Sequence, residues 1–342
     1  MAIARLSFVL CGCNAIFGIT EGTLADDGGG AGGVVEGNGG ADGDGGIGGD
    51  VGTGGDGPRE RLCAGAGMIL YDFLPNHQEP LSETNRYTIW GACPDGSSVQ
   101  RMLPESPGHD SNANWHPDGQ RFTFVRHANG IDAIMMAKFD GTEVEQLVRT
   151  PPGAKANPIF SPDGATVAFI ATPVGAASSK IMLVDADGSN LRRLTATPAE
   201  DPDAVEGFFT WTPDGQAIAM RFGPDGQRRI LVHGLDGSVR PLLGEAESFN
   251  PVISPDGDWI FYTHLPAGTA PPVEVWRMRP DGSSLARVLE AGSSACFSPD
   301  GERFVVHING EGRIGVASSS PPHEIVPIVD VAGTPRPRCW QW

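Results

Sequence analysis

One five-residue signal recurs along this chain and constrains the fold more than any other feature. It appears as Trp115-His116-Pro117-Asp118-Gly119, Phe160-Ser161-Pro162-Asp163-Gly164, Trp211-Thr212-Pro213-Asp214-Gly215, Ile253-Ser254-Pro255-Asp256-Gly257 and Phe297-Ser298-Pro299-Asp300-Gly301. A second signal interleaves with it: Pro94-Asp95-Gly96-Ser97, Phe139-Asp140-Gly141-Thr142, Ala186-Asp187-Gly188-Ser189, Leu235-Asp236-Gly237-Ser238 and Pro280-Asp281-Gly282-Ser283. Asp-Gly between short apolar runs marks a tight hairpin, because glycine takes the positive φ that such a turn demands. Each repeat therefore holds two hairpins and four strands, which is one blade of a β-propeller.

The second strands read as Phe122 to Arg126, Val167 to Ala171, Ile218 to Phe222, Ile260 to His264 and Phe304 to Ile308, all short and rich in branched or aromatic residues. Met68 to Phe73 has the pattern of a second strand with no first strand ahead of it. Arg336 to Trp342 has the pattern of a first strand with nothing after it. Joined, they complete a blade, so the sequence predicts an all-β, six-bladed propeller closed by its C-terminal strand, with no free sheet edge left at the junction.

The repeat, an apolar position followed by Trp or Phe, Ser or Thr, and Pro-Asp-Gly, then an apolar strand and an Asp-Gly-Ser hairpin, resembles the TolB-type, WD40-like propeller repeat. The resemblance covers residues 68 to 342 and implies a propeller over 63–342. For function it implies an exported bacterial protein. Family members include periplasmic envelope proteins that bind a peptidoglycan-associated lipoprotein, propellers attached to peptidases, and bacterial lipoproteins. The helical N-terminal domain of TolB and the hydrolase domain of the peptidases have no counterpart in the pattern.

The first 25 residues read as an export signal, with Arg5 followed by apolar runs. Two ends compete. Leu10-Cys11-Gly12-Cys13 resembles a lipobox that would make Cys13 the lipid attachment site, whereas Thr23-Leu24-Ala25 resembles an ordinary cleavage site before Asp26. Between Asp26 and Gly57, 17 of 32 residues are Gly and none is Lys or Arg, so residues 26–62 read as a disordered tether unable to bury enough apolar area to fold. A tether of that length reaches about 30 Å.

Asp and Glu number 42 against 24 Lys and Arg, for a net charge of −18, which excludes a phosphate-backbone partner and hence nucleic acid. No Gly-x-Ser-x-Gly elbow, His-Glu-x-x-His motif, Walker loop or dinucleotide fingerprint occurs, and the eight His show no metal-ligand spacing, so no catalytic residue, metal or cofactor is assigned. With the Asp-Gly turns on one face, binding is expected on the other, where connections vary. The candidates there are the acids Glu200, Asp201, Asp203 and Glu206 of one long connection, read as a solvated acidic loop or a site for a basic partner. Asn112, Asn157 and Asn250 begin three inner strands. Asp72, Arg221 and His307 are the charged or titratable occupants of one second-strand position.

Cys63, Cys93, Cys296 and Cys339 read as disulfide candidates in an exported chain. Position favours Cys63 with Cys93 and Cys296 with Cys339, with Cys63 to Cys339 as the rival pairing. The functional expectation is a monomeric, non-catalytic binding protein of the bacterial outer membrane or cell surface. It would be lipid-anchored, or else soluble in the periplasm or secreted, and its partner would be an envelope protein or a cell-wall glycan. The alternative is a carbohydrate-active enzyme, a uronate-directed lyase or hydrolase, on the same propeller.

Overall fold

A computed structural model describes residue 63 and residues 67–341, apart from 77–78, 83, 107, 149–151, 177, 195–205, 224–227, 243–246, 267–272, 309–312 and 331–333; of 294–295 and 334–341 it describes the backbone alone. The export signal and almost all of the tether lie outside the described residues, as do Glu200, Asp201 and Asp203.

Among the described residues there are strands and no helix. Blade 1 contains β1 (Met68–Leu74), β2 (Thr88–Ala92) and β3 (Val99–Arg101); blade 2 contains β4 (His109–Trp115), β5 (Arg121–Ala128), β6 (Ile131–Lys138) and β7 (Glu145–Val148). Blade 3 follows as β8 (Gly153–Phe160), β9 (Thr166–Pro173), β10 (Lys180–Asp185) and β11 (Arg192–Arg193). Blade 4 is β12 (Glu206–Trp211), β13 (Ala217–Phe222), β14 (Arg229–Gly234) and β15 (Val239–Pro241). Blade 5 is β16 (Ser248–Ile253), β17 (Ile260–His264), β18 (Glu274–Met278) and β19 (Ala286–Leu289). Blade 6 is β20 (Ser293–Phe297), β21 (Arg303–Ile308), β22 (Arg313–Ser318) and β23 (Ile325–Asp330), and β24 (Thr334–Gln341) returns to blade 1. The six sheets have four strands each, and the first is ordered β24-β1-β2-β3, which is the closure the sequence predicts.

The Asp-Gly turns are built alike. The Asp163, Asp214, Asp256 and Asp300 carboxylates accept the backbone N–H two residues on at 2.9–3.0 Å and the hydroxyl of Ser161, Thr212, Ser254 and Ser298. The following glycine takes φ between 68° and 77° in the turns at Gly164, Gly215, Gly257 and Gly301, where a Cβ would be strained.

Apolar residues face both sides of each sheet and collect into six clusters, one at each junction between blades. Met68, Leu70 and Ile89 meet Trp115, Phe122 and Phe124 between blades 1 and 2. Ile69 and Tyr71 meet Val305, Ile314 and Val316 between blades 1 and 6. The Trp of the repeat has a polar task as well, since Trp115 and Trp211 donate their indole N–H to Met68 and Ile159 carbonyls in the preceding blades at 3.0 and 3.2 Å. A backbone bond repeats at the other end of the seams: Asp110, Glu206, Ser248 and Gly292 donate N–H to Tyr87, Ser179, Arg228 and Val273.

A disulfide joins Cys63 to Cys93 with Cα atoms 5.2 Å apart, tying the segment before β1 to the end of β2. The side chain of Cys339 lies outside the described residues, while Cys296 packs beside the cluster between blades 1 and 6.

Closure depends on β24, whose register with β1 runs from Met68 opposite Gln341 to Leu74 opposite Thr334. Removing residues 337–342 strips β1 of most of that partner and opens both an edge and a seam. The truncated protein is expected to aggregate or to lose most of its cooperative thermal transition. A monomer with unchanged Tm would contradict the closure.

Candidate functional site

The two ends of the propeller differ chemically. At the turn end the carboxylates are spent on their own turns, and those of Asp95, Asp140, Asp187, Asp236 and Asp281 are held below the ordinary aspartate range, first by the Ser or Thr side chain two residues on and then by its N–H. The opposite end carries the connections between second and third strands and those between blades, and no two of these share a sequence.

Asn112, Asn157 and Asn250 occupy equivalent bulges where inner strands enter from the loop end, and all three have left-handed backbones with φ of 60°, 57° and 51°. Asparagine tolerates that conformation better than other non-glycine residues, so backbone geometry alone accounts for the choice. Phe208 holds the matching position of blade 4 at φ 34°. The asparagines also link blades. Asn157 N–H donates to Asn112 Oδ1 at 3.2 Å, and Asn112 N–H donates to both oxygens of the buried Asp72 carboxylate at 2.9 Å.

Asp72, Arg221 and His307 share one register, opposite Ile89, Ile230 and Ile314, but lie in blades 1, 4 and 6. Asp72 reaches the neighbouring blade 2. Arg221, buried, lies with its guanidinium 5.5 Å from the centre of the Phe208 ring of its own blade. Both side chains thus serve the packing of the funnel wall.

Glu206 corrects the sequence reading. It is no solvated loop acid but the first residue of β12, fully buried. Its Oε2 accepts the Ile181 N–H at 2.9 Å, and Oε1 lies 3.5 Å from Lys180 Nζ and 3.9 Å from an Arg193 nitrogen. The physical reason is the seam: the position that begins each inner strand faces the preceding blade, and blade 3 presents cations there.

Two features at the loop end escaped the sequence reading. Asn85, buried, gathers the connection between β1 and β2 around itself, donating to the carbonyls of Asn76, Glu79 and Pro80 at 2.7, 3.0 and 3.1 Å and accepting the Asn76 N–H at 2.9 Å. The second is a row of side chains across blade 2, His109 opposite His127 and His127 opposite Asp132. The two rings stack with centroids 5.9 Å apart, and His127 Nδ1 is hydrogen-bonded to Asp132 Oδ1. Gly108 lets β4 enter beside β5, because a Cβ there would meet the His127 carbonyl at 2.5 Å. A glycine, two histidines and an aspartate scattered over adjacent strands form no linear motif, so only register could have revealed the row.

Among the described residues no three His, Cys, Asp or Glu side chains gather as a metal site would require. The arrangement at the loop end offers hydrogen-bond donors and acceptors on a rigid frame.

The TolB beta propeller domain family matches residues 73–270, and the chain belongs to that family. Among solved structures it is similar to TolB from Acinetobacter baumannii, with 23% identity, a TM-score of 0.64, and coverage of 80% of this chain and 66% of that one. It is also similar to a putative TolB from Agrobacterium tumefaciens, with 21% identity, a TM-score of 0.57, and coverage of 79% and 91%. An oligogalacturonate lyase from Vibrio parahaemolyticus shares the fold at 14% identity and a TM-score of 0.51 over 72% of this chain and 77% of the lyase. A curated relative, the uncharacterized protein Atu1656 of Agrobacterium fabrum, is 28% identical over 141 residues, 40% of this chain and 45% of that protein. The chain thus spans about half the length of that relative and two thirds of the A. baumannii TolB.

Replacing Glu206 by Ala removes the carboxylate that faces Lys180 and Arg193, leaves the Ile181 N–H without its acceptor and opens a buried void. The expected cost is about 3 kcal/mol, read as a lowered denaturant midpoint. A change under about 0.5 kcal/mol, the scale of surface substitutions, would return Glu206 to the solvent.

Proposed function

We propose that this chain is an exported, non-catalytic binding protein of the bacterial cell envelope, whose propeller engages an envelope protein or cell-wall glycan through its loop end. A lipid on Cys13 holds it at the membrane, residues 26–62 serve as the tether, and the propeller occupies 63–342. A second disulfide, Cys296 to Cys339, locks the closing seam. The TolB fold fits an envelope-associated binding role, and its TolB relatives support export.

One observation carries the reading: the turn end is nearly identical from blade to blade and consumes its own polar groups, whereas the loop end differs at every connection. A surface that distinguishes one partner from others must be assembled from what differs. Exposed apolar side chains stand at that end, Val174 at 80% exposure on the hairpin between β9 and β10 and Ile131 at 37% beside the hairpin between β5 and β6.

The anchor and the face can be tested together. Cys13→Ser should move the protein from the membrane fraction to the soluble one and supply bait. Capture of an envelope component by that bait should fall at least tenfold when Ile131 and Val174 are both replaced by Glu, and should be unaffected when Ser238 and Ser283, on Asp-Gly turns, are replaced instead. Wild type recovered as a soluble form beginning at Asp26 would refute the anchor. Capture that survives the first pair and fails with the second would refute the face.

A further inference from the structure

The loop end of blade 2 holds more nitrogen donors than the described residues satisfy. Tyr87 accepts the Asp110 N–H at 3.0 Å, and the residue before it, Arg86, lies near enough for its charge to act on His109, which stacks on His127. Every carboxylate nearby is occupied. Asp72 accepts the Asn112 N–H; Asp110 binds Arg126 through Nε at 2.7 Å and a terminal nitrogen at 2.9 Å and also takes the Ser106 hydroxyl; Asp132 takes His127 Nδ1 and the Lys155 N–H. Lys155 Nζ turns to the Asp132 and Gly153 carbonyls.

What remains is the Arg86 guanidinium and the Nε2 atoms of both rings, which make no hydrogen bond among the described residues. The ring states follow from their surroundings. His109 Nδ1 is buried without a partner, and burying a bare lone pair costs less than burying an unmatched N–H, so the proton sits on Nε2. On His127, Asp132 claims the Nδ1 hydrogen, so the protonated ring presents a second N–H at Nε2. Once His127 is protonated, three donors are left without an acceptor among the described residues.

We propose that Arg86, His109 and His127 form a subsite for a carboxylate group of the ligand that the loop end binds. The inference rests on the reading of that end as the binding end. A single negative charge suits the place better than a phosphate dianion, because each added charge works against the field of a chain at −18, and the guanidinium fork matches two coplanar oxygens.

Binding is coupled to protons. Burial, then the neighbouring His127 and Arg86, hold the His109 pKa below the usual histidine value, whereas the Asp132 hydrogen bond raises that of His127. A bound carboxylate favours the His127 ring with a proton on both nitrogens. Because His127 then gains a proton at Nε2 on binding, affinity rises as pH falls, by up to tenfold per pH unit for one proton taken up.

The test is a titration of the full-length Cys13→Ser protein with sodium acetate, against sodium chloride and inorganic phosphate at matched ionic strength, following the histidine ring nitrogens by NMR at pH about 6 and about 8. Acetate should shift both rings saturably, raise the His127 pKa and bind more tightly at the lower pH. Arg86→Gln and His109→Phe, the latter keeping the stacked ring, should each weaken it at least tenfold. Indistinguishable acetate and chloride shifts would overturn the subsite, as would stronger binding of phosphate or undiminished binding by Arg86→Gln. Should a variant fail to fold, the wild-type His127 titration with and without acetate decides the matter. Acetate without effect while Ile131 and Val174 still control capture refutes the subsite alone; saturable acetate binding with capture mapped to the Asp-Gly turns refutes the loop-end reading alone.

Discussion

Each sheet in this protein is apolar on both faces, and the rest of the structure depends on that. No blade can satisfy itself: Tyr71 and Ile69 need Val305 and Val316 on one side, while Met68 and Leu70 need Trp115 and Phe122 on the other. An open array would leave two such faces in water, at a cost of roughly 25 cal/mol per Å² of apolar surface. The chain avoids this by bringing its last strand back to its first, so that every seam is filled and the junction has no edge. The Cys63–Cys93 disulfide adds a covalent tie within the blade where the first and last strands meet.

Filling six seams with one repeated solution makes the two ends of the disc unequal. At the turn end each Asp carboxylate caps its own hairpin, leaving little to offer a partner. At the loop end the chain must cross from strand to strand and blade to blade by a different path each time, and the polar groups that manage those crossings are long-range: Asp72 on the Asn112 N–H, Asn112 on the Asn157 N–H, Glu206 among Ile181, Lys180 and Arg193. These contacts make the rim rigid. They also commit its acids inward, while the Arg86 guanidinium and the Nε2 atoms of His109 and His127 make no hydrogen bond among the described residues.

What the sequence made legible was whatever recurs. Asp-Gly turns at repeat spacing, the apolar second strands and the half-blades at 68–73 and 336–342 were enough for blade count and closure, because turn geometry and strand period are local. Glu206 was misread because its burial is set by Lys180 and Arg193 in the preceding blade, which chain proximity to Asp201 and Asp203 does not reveal. Asn85 was missed because an amide that organises a loop looks like any other polar loop residue until its carbonyl partners are placed. The His109–His127–Asp132 row is visible only once β4, β5 and β6 are in register. The three aligned asparagines were found by repeat position, and a left-handed backbone is the property the structure shows them to share.

The central claim is that a uniform turn end supports the ring and a varied loop end does the binding. Hydrogen–deuterium exchange of the propeller with and without its captured envelope partner tests it most directly. The account predicts slowed exchange in the connections 75–87, 102–108, 128–131 and 173–180, with the Asp-Gly turns unchanged. Protection confined to the turns, with the loop end exchanging as in the free protein, would contradict it.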